Sequence, residues 1–196
     1  SQFVHRSENR GEAWTVISPD LTTNNPEWQK QDESGGLTID VTAAENHCTI
    51  ITIAPSSIAS GVIWAGTDDG RVQITRDGGE SWVSVEPNIP DLPSNTWCPH
   101  IEACKFDAAT AFAVFDGHRN SDWTPYIYVT RDYGATWTSL ATNSIDGYCH
   151  VIEQDPVQKD LLWVGTEFGL FVSLDGGKQW NAWRHGVPTC AARAIT

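Results

Sequence analysis

One eight-residue pattern recurs four times along this chain and constrains its fold more than any other feature. Three copies are full: Thr75-Arg76-Asp77-Gly78-Gly79-Glu80-Ser81-Trp82, Thr130-Arg131-Asp132-Tyr133-Gly134-Ala135-Thr136-Trp137 and Ser173-Leu174-Asp175-Gly176-Gly177-Lys178-Gln179-Trp180. A fourth, Ser7-Glu8-Asn9-Arg10-Gly11-Glu12-Ala13-Trp14, carries Asn9 where the others carry Asp. The shared form is Ser/Thr-x-Asp-x-Gly-x-x-Trp. A unit that recurs in this way signals a repeat architecture.

The chemistry is that of a folded-back turn. The carboxylate of Asp77, Asp132 or Asp175 can accept hydrogen bonds from the backbone N–H groups just after it. Gly79, Gly134 and Gly177 supply a backbone conformation that a residue with a Cβ resists. Trp14, Trp82, Trp137 and Trp180 close the turn and bury a large apolar surface against a neighbouring strand. Alternating segments such as Arg71-Val72-Gln73-Ile74 and Tyr126-Ile127-Tyr128-Val129 precede the boxes, so each box closes a β-hairpin. On this basis the box residues are structural.

These residues resemble the Asp-box, or BNR, repeat, which occurs in sialidases, xyloglucan-cleaving glycosidases, sortilin-type receptors and many secreted bacterial proteins. The resemblance covers most of the chain. Segments such as Trp163-Val164-Gly165-Thr166-Glu167-Phe168-Gly169-Leu170 look most like the large bacterial BNR proteins. It implies an all-β propeller of four-stranded blades in an extracytoplasmic setting: secreted, periplasmic or envelope-associated.

Laid out by the boxes, a part-blade spans 1–20, an insertion 21–47, and blades 48–86, 99–141 and 148–184, with the start of another blade at 187–196. Strands a to d of the first whole blade fall at 48–55, 62–66, 71–75 and 83–86. Those of the second fall at 100–107, 111–115, 126–130 and 138–141. Those of the third fall at 149–156, 161–165, 170–173 and 182–184. Cys48 and Cys149 take matching places at the start of strand a. Propellers typically close with 4–8 blades, so the ring here is incomplete. The remaining blades are expected from the parent chain or from another subunit.

Twelve Lys and Arg against 25 Asp and Glu give a formal net charge of −13. That argues against a phosphate-backbone partner, which recruits Lys and Arg, and against an anionic membrane surface. No apolar run approaches the ~20 residues of a membrane span. The five cysteines form no CxxC pair, and the odd count leaves at least one free thiol unless a bond joins two chains.

Strand alternation puts the boxes and the a–b turns at one end and the d–a and b–c loops at the other. The long insertions, 21–47, 87–99 and 116–125, all fall at this second end, where function on a rigid scaffold usually sits. Strand b ends on an acid in each blade: Asp68, Asp116 and Glu167. Around them the loops bring Glu45, Asn46, His47, Trp97, Cys98, His100, His118, Arg119, Asp122, Trp123, Asp146, Tyr148 and His150. Three chemistries fit. Paired carboxylates among Asp68, Asp116 and Glu167 can act as acid and base on a glycosidic bond, with Trp97 or Trp123 stacking on a sugar. Histidines with acids can hold a divalent metal. Or the acids satisfy turn N–H groups and the histidines are neutral strand-end residues. A sialidase is disfavoured, because Arg76 and Arg131 lie inside boxes and Arg193 alone falls on an inner strand. The expected role is a binding or scaffold module for a protein or glycan partner, with ligand contacts from His47, Trp97, His100, His118, Trp123, Tyr148 and His150 and no required cofactor. Glycoside hydrolysis at Asp68, Asp116 and Glu167 is the alternative.

Overall fold

The structure, a computed structural model, describes residues 1–29 and 47–195. Within them the fold is built from three four-stranded antiparallel sheets and one two-stranded sheet. The two-stranded sheet pairs β1 (His5–Arg6) with β2 (Thr15–Val16). The first blade is β3 (Ile50–Pro55), β4 (Ile63–Thr67), β5 (Val72–Thr75) and β6 (Val83–Ser84). The second is β7 (Trp97–Ala103), β8 (Ala111–Asp116), β9 (Tyr126–Thr130) and β10 (Thr138–Ser139). The third is β11 (Cys149–Gln154), β12 (Leu162–Thr166), β13 (Gly169–Ser173) and β14 (Asn181–Trp183). In each blade the strands pair in chain order, a to d. First strands of successive blades pack on one another, β3 on β7 and β7 on β11, as inner strands of a propeller do. The only helical segments among the described residues are short 3-10 turns, Glu86–Asn88 and His118–Asn120. No helix among them is long and apolar enough to cross a membrane.

All four boxes fold into the same hydrogen-bonded cage. The glycine N–H donates to the first hydroxyl oxygen at 2.7–2.9 Å. The amide just before the tryptophan donates to the Asp or Asn Oδ1 at 2.8–3.0 Å. The first hydroxyl reaches the same Oδ1 at 2.7–3.0 Å. Asn9 does this as well as Asp77, because only one amide oxygen is needed for the shared part of the cage. The a–b turn of each whole blade locks onto its box: Gly78, Tyr133 and Gly176 donate their N–H groups to the carbonyls of Gly61, Ala109 and Asp160. Boxes and a–b turns therefore share one end, as the alternation of strands requires.

The box glycine has a second reason to be glycine. At Gly79, Gly134 and Gly177 φ is positive, and an added Cβ would sit 2.4 Å from the Ile17 carbonyl oxygen, 2.8 Å from Val85 and 2.7 Å from Leu140. Those three residues belong to the preceding blade. The residue before the glycine, Tyr133 or Arg10, also has positive φ yet carries a side chain, and Tyr133 lies under the Arg76 guanidinium at 4.0 Å. Trp82 and Trp180 then donate their indole N–H groups to the carbonyls of Ile17 and Leu140, both at 2.9 Å. Each box of the three whole blades thus closes its own hairpin and bolts its blade to the unit before. The cores follow the same logic, with Trp64, Val85 and Trp137 in one cluster and Phe112, Leu140 and Trp180 in the next. Removing a buried aromatic of this size costs about 3–5 kcal/mol. Trp14 departs from the expected burial: it is 61% exposed, since no blade precedes it among the described residues.

Three strand expectations are corrected. The second inner strand starts at Trp97, not at position 100, because a bulge between Trp97 and His100 takes up Pro99, which has no N–H for the ladder. Cys48 and Cys149 are not equivalent. Ile50 pairs with Thr67 as Cys149 pairs with Thr166, so Ile50 fills the cysteine's register and Cys48 lies two residues ahead. Finally, 187–195 forms no strand; its ladder-like contact is the Ala192 N–H to the Thr166 carbonyl at 2.9 Å. Position 196 and positions 30–46 of the first insertion, Glu45 and Asn46 among them, lie outside the described residues. All five cysteines are free thiols, and burial pushes those of Cys98 and Cys149 far up, which makes them poor nucleophiles.

Candidate functional site

Strand register brings the three acids to one place in each blade. The first residue of strand b pairs with the first box residue every time: Ile63 with Thr75, Ala111 with Thr130, Leu162 with Ser173. Five residues further on stand Asp68, Asp116 and Glu167. They are at the end of the molecule opposite the boxes.

Each acid faces a histidine. Asp68 is buried and accepts the Thr49 N–H at 2.7 Å and the Thr49 hydroxyl at 2.9 Å, with His47 Nδ1 at 3.7 Å. Burial pushes its carboxyl up, against the Thr49 bonds and His47. Asp116, also buried, takes the His118 N–H at 3.0 Å and lies 2.6 Å from His118 Nδ1, with Arg119 at 3.5 Å. Glu167 lies 3.0 Å from His150 Nε2 and 4.0 Å from Arg193. Hydrogen bonds from His150 and Tyr148 hold Glu167 below the usual carboxylate range. Burial, and then Glu167, push the Tyr148 hydroxyl up. An ionised carboxylate only accepts, so the bonded nitrogens of His118 and His150 carry their ring protons.

Aromatic rings join these pairs into one row. Trp28 meets His47 edge-on at 6.0 Å, and His47 lies 6.4 Å from Trp97. The Arg119 guanidinium stands 3.3 Å over the Trp97 ring. This cation–π contact contributes about 0.5–2 kcal/mol. From Arg119 the row passes through Asp116 to His118, which stacks on Tyr148 at 4.5 Å. Tyr148 is flanked by Trp123 at 5.4 Å and His150 at 5.0 Å. Burial lowers the pKa of Arg119, while Asp116, Tyr148 and Asp68 raise it, so those groups share one electrostatic neighbourhood. The rim is open: Trp123 is 56% exposed.

The structure therefore gathers His47, Asp68, Trp97, Asp116, His118, Trp123, Tyr148, His150 and Glu167. It does not bring His100 to them. That ring lies between blades, bonded to the backbone of Ile152 and near Glu153 and Lys105, with Nδ1 unpartnered. Its register, opposite Val114 in mid-strand, explains this. Asp122 accepts from the Tyr126 hydroxyl at 2.7 Å and serves its own turn. Among the described residues no group of three or more His, Cys, Asp or Glu side chains is placed to hold a metal ion.

Sequence inspection missed Asp69 and Trp28. Asp69 is buried and accepts from the N–H and hydroxyl of Thr23, both at 2.7 Å, and from the Thr67 hydroxyl. Burial pushes its carboxyl up, but these bonds outweigh it and hold it below the ordinary range. It pins the start of the first insertion to the first blade, and so places Trp28. The Asp68-Asp69 doublet, absent from the other two blades, was the available signal.

No family model and no curated protein matches the chain. Solved structures do. An ancestral GH74 enzyme superposes with a TM-score of 0.65 at 18% identity, over 95% of this chain and 22% of its own. The GH74 xyloglucanase from Xanthomonas campestris gives 0.64 at 17% identity, over 94% and 27%. YCF48 bound to a D1 peptide gives 0.51 at 19% identity, over 68% and 39%. The chain thus spans about a quarter of the length of those enzymes and about two fifths of YCF48. At such identities the likeness establishes the architecture alone: the chain is similar to part of a β-propeller, built of four-stranded blades with the ring incomplete.

Proposed function

We propose that this is a portion of an extracytoplasmic Asp-box propeller, and that its loop end is a binding face for a glycan. The carrying observation is the row of rings, Trp28–His47–Trp97 and Trp123–Tyr148–His150, interleaved with acids already paired to imidazole or guanidinium. Flat apolar rings beside fixed hydrogen-bonding groups suit sugars, which present apolar faces and hydroxyl edges. Paired acids cost less to keep at the face than bare ones, and they still accept from hydroxyls. No cofactor takes part.

The test is titration of the purified chain against neutral and acidic oligosaccharides, followed by tryptophan fluorescence. Trp97→Ala and Trp123→Ala should each weaken binding about tenfold, near 1.4 kcal/mol, and a chelator should leave it unchanged. Failure to bind any glycan, with capture of a peptide ligand instead, would move the assignment to a protein partner. YCF48, similar in fold, is seen with a bound peptide. Shortening 24–36, of which 30–36 lie outside the described residues, would then test the insertion's share.

One observation favours glycoside hydrolysis as the second reading. Burial raises the Asp68 carboxyl, the condition for a proton-holding general acid, and Arg119 feels both Asp68 and Asp116. If so, Asp68→Asn and Asp116→Asn abolish turnover of a β-linked glycan with folding intact; turnover that survives both substitutions rules it out.

A further inference from the structure

At the loop end the backbone, hydroxyl and imidazole donors nearest the strand-b acids are already spent on them. Thr49 gives its N–H and hydroxyl to Asp68, His118 its N–H and ring Nδ1–H to Asp116, and His150 and Tyr148 their hydrogens to Glu167. A carboxylate offers about four lone-pair sites, so each acid can still accept. A neutral imidazole that donates leaves the carboxylate's charge in place. Asp68, Asp69, Asp116 and Glu167 also outnumber the row's cations, Arg119 and Arg193. What this face lacks is a donor with positive charge.

His47 points the same way. It is 6% exposed, and its Nδ1 has no hydrogen-bond partner. Its Nε2 lies 3.3 Å from Asn95 Oδ1, an acceptor, so the ring proton belongs on Nε2 and a lone pair on Nδ1. That lone pair stands 3.7 Å from Asp68 Oδ2, with the rings of Trp28 and Trp97 at 6.0 and 6.4 Å. Two acceptors thus face each other beside indoles. One blade on, the chain itself shows what such a place holds: the Arg119 guanidinium lies 3.3 Å over Trp97 and 3.5 Å from Asp116. The third blade has the same parts, Glu167 with Tyr148 and then Trp123, but its cation, Arg193, is 4.0 Å away with a side chain 73% exposed.

We infer that the glycan taken by this face carries free amino groups: an amino-sugar chain, held as ammonium ions by the strand-b acids and the rings beside them. This rests on the glycan reading of the face and specifies the class of sugar. An ammonium donates three hydrogens and is drawn both to carboxylates and to indole faces, whereas a sugar hydroxyl donates one and carries no charge. The acids recur once per blade along the row, so a chain with an amine on successive sugars matches them better than a single amine does. Glu167 is the most open of the three, its side chain 29% exposed against 6% for Asp68 and Asp116.

Calorimetric titration of the full chain with three β-1,4-linked oligosaccharides of equal length tests this. They differ only at C2 of each sugar: hydroxyl in the glucose oligomer, acetamide in the N-acetylglucosamine oligomer, free amine in the glucosamine oligomer. The amine should bind about tenfold or more tighter than either neutral oligomer, with an advantage that shrinks as salt is added. Glu167→Gln should bring the ratio of amine to hydroxyl binding towards one. Glu80→Gln, which removes an exposed acid at the box end, should leave that ratio as it was. Equal binding of all three oligomers overturns the inference and leaves the glycan reading standing. A ratio that falls as much in Glu80→Gln as in Glu167→Gln also overturns it, because net charge and not this face then selects the amine. No binding of any of the three removes the glycan reading, and the inference with it.

Discussion

The Trp180 indole donates its N–H to the Leu140 carbonyl at 2.9 Å, across the boundary between two blades. At the equivalent boundary one blade earlier, Trp137 is as deeply buried, but its N–H has no hydrogen-bond partner. The two junctions thus have the same shape and different polar satisfaction. Trp180→Phe loses a bond and strands the Leu140 carbonyl, whereas Trp137→Phe removes an unpaired donor. Trp180→Phe should therefore destabilise by about 1–2 kcal/mol more than Trp137→Phe. Urea unfolding of the two variants measures the difference, and equal losses would mean that a bridging water already serves Trp137.

Adjacent glycines in one box should respond very differently. Gly78 and Gly79 both have positive φ, but a Cβ at Gly78 finds only the Arg6 guanidinium at 3.9 Å, while at Gly79 it meets the Ile17 carbonyl. Gly78→Asn places a residue tolerant of left-handed backbone in open space and should cost under about 1 kcal/mol. Gly79→Ala adds backbone strain to a clash that pushes two blades apart, for about 2–4 kcal/mol. Thermal unfolding checks both; equal effects would show that the junction yields.

Asp68 sets a pH dependence whose sign is opposite to that of most carboxylates. Its folded pKa is raised, chiefly by burial, so across that range the folded state holds more protons than the unfolded state. Stability then falls as pH rises from the ordinary aspartate range through the folded pKa. Asp68→Asn removes this dependence. The stability of the unaltered chain relative to Asp68→Asn should decline over that interval and be flat on either side. Chemical denaturation at a series of pH values measures it, and a difference that grows with pH would show that the Thr49 bonds dominate instead.

The boxes made the fold legible because their residues act locally. Thr75, Asp77, Gly79 and Trp82 meet within one turn, so their spacing encodes the cage. The acids were legible for the same reason, since register carries Asp68, Asp116 and Glu167 to equal depth. What the sequence concealed was contact between blades. Gly134 is needed as much for Val85, 49 positions away, as for its own turn, and nothing local says so. His100 was placed at the loop end because it follows Trp97-Cys98 closely, yet the bulge at Pro99 carries it to mid-strand. Cys48 invited alignment with Cys149 by identity, while the ladder aligned Ile50. Chemistry-bearing residues near a bulge are where a repeat alignment slips.

Lys105 offers a test of the other bond between blades. Its ammonium bridges Glu102 of its own blade to Glu153 of the next at 2.7 Å, and it donates to the Gln154 carbonyl at 2.8 Å. Burial raises the Glu102 carboxyl, and Glu153 adds to this while Lys105 opposes it. Lys105→Met removes the cation and leaves two carboxylates facing each other, for a loss of about 1–3 kcal/mol at neutral pH. Glu102 then rises further, so the variant should recover stability as pH falls and its carboxyls take up protons. In the unaltered chain the bridge works in the other direction. Burial lowers the Lys105 pKa, but its bonds to the two glutamates outweigh that and raise it. Its contribution is therefore full below the ordinary lysine value and fades as pH rises through the folded one. Acid rescue of Lys105→Met, set against alkaline loss in the parent, would show that charge and not packing carries the Lys105 contact; a deficit constant with pH would show the reverse.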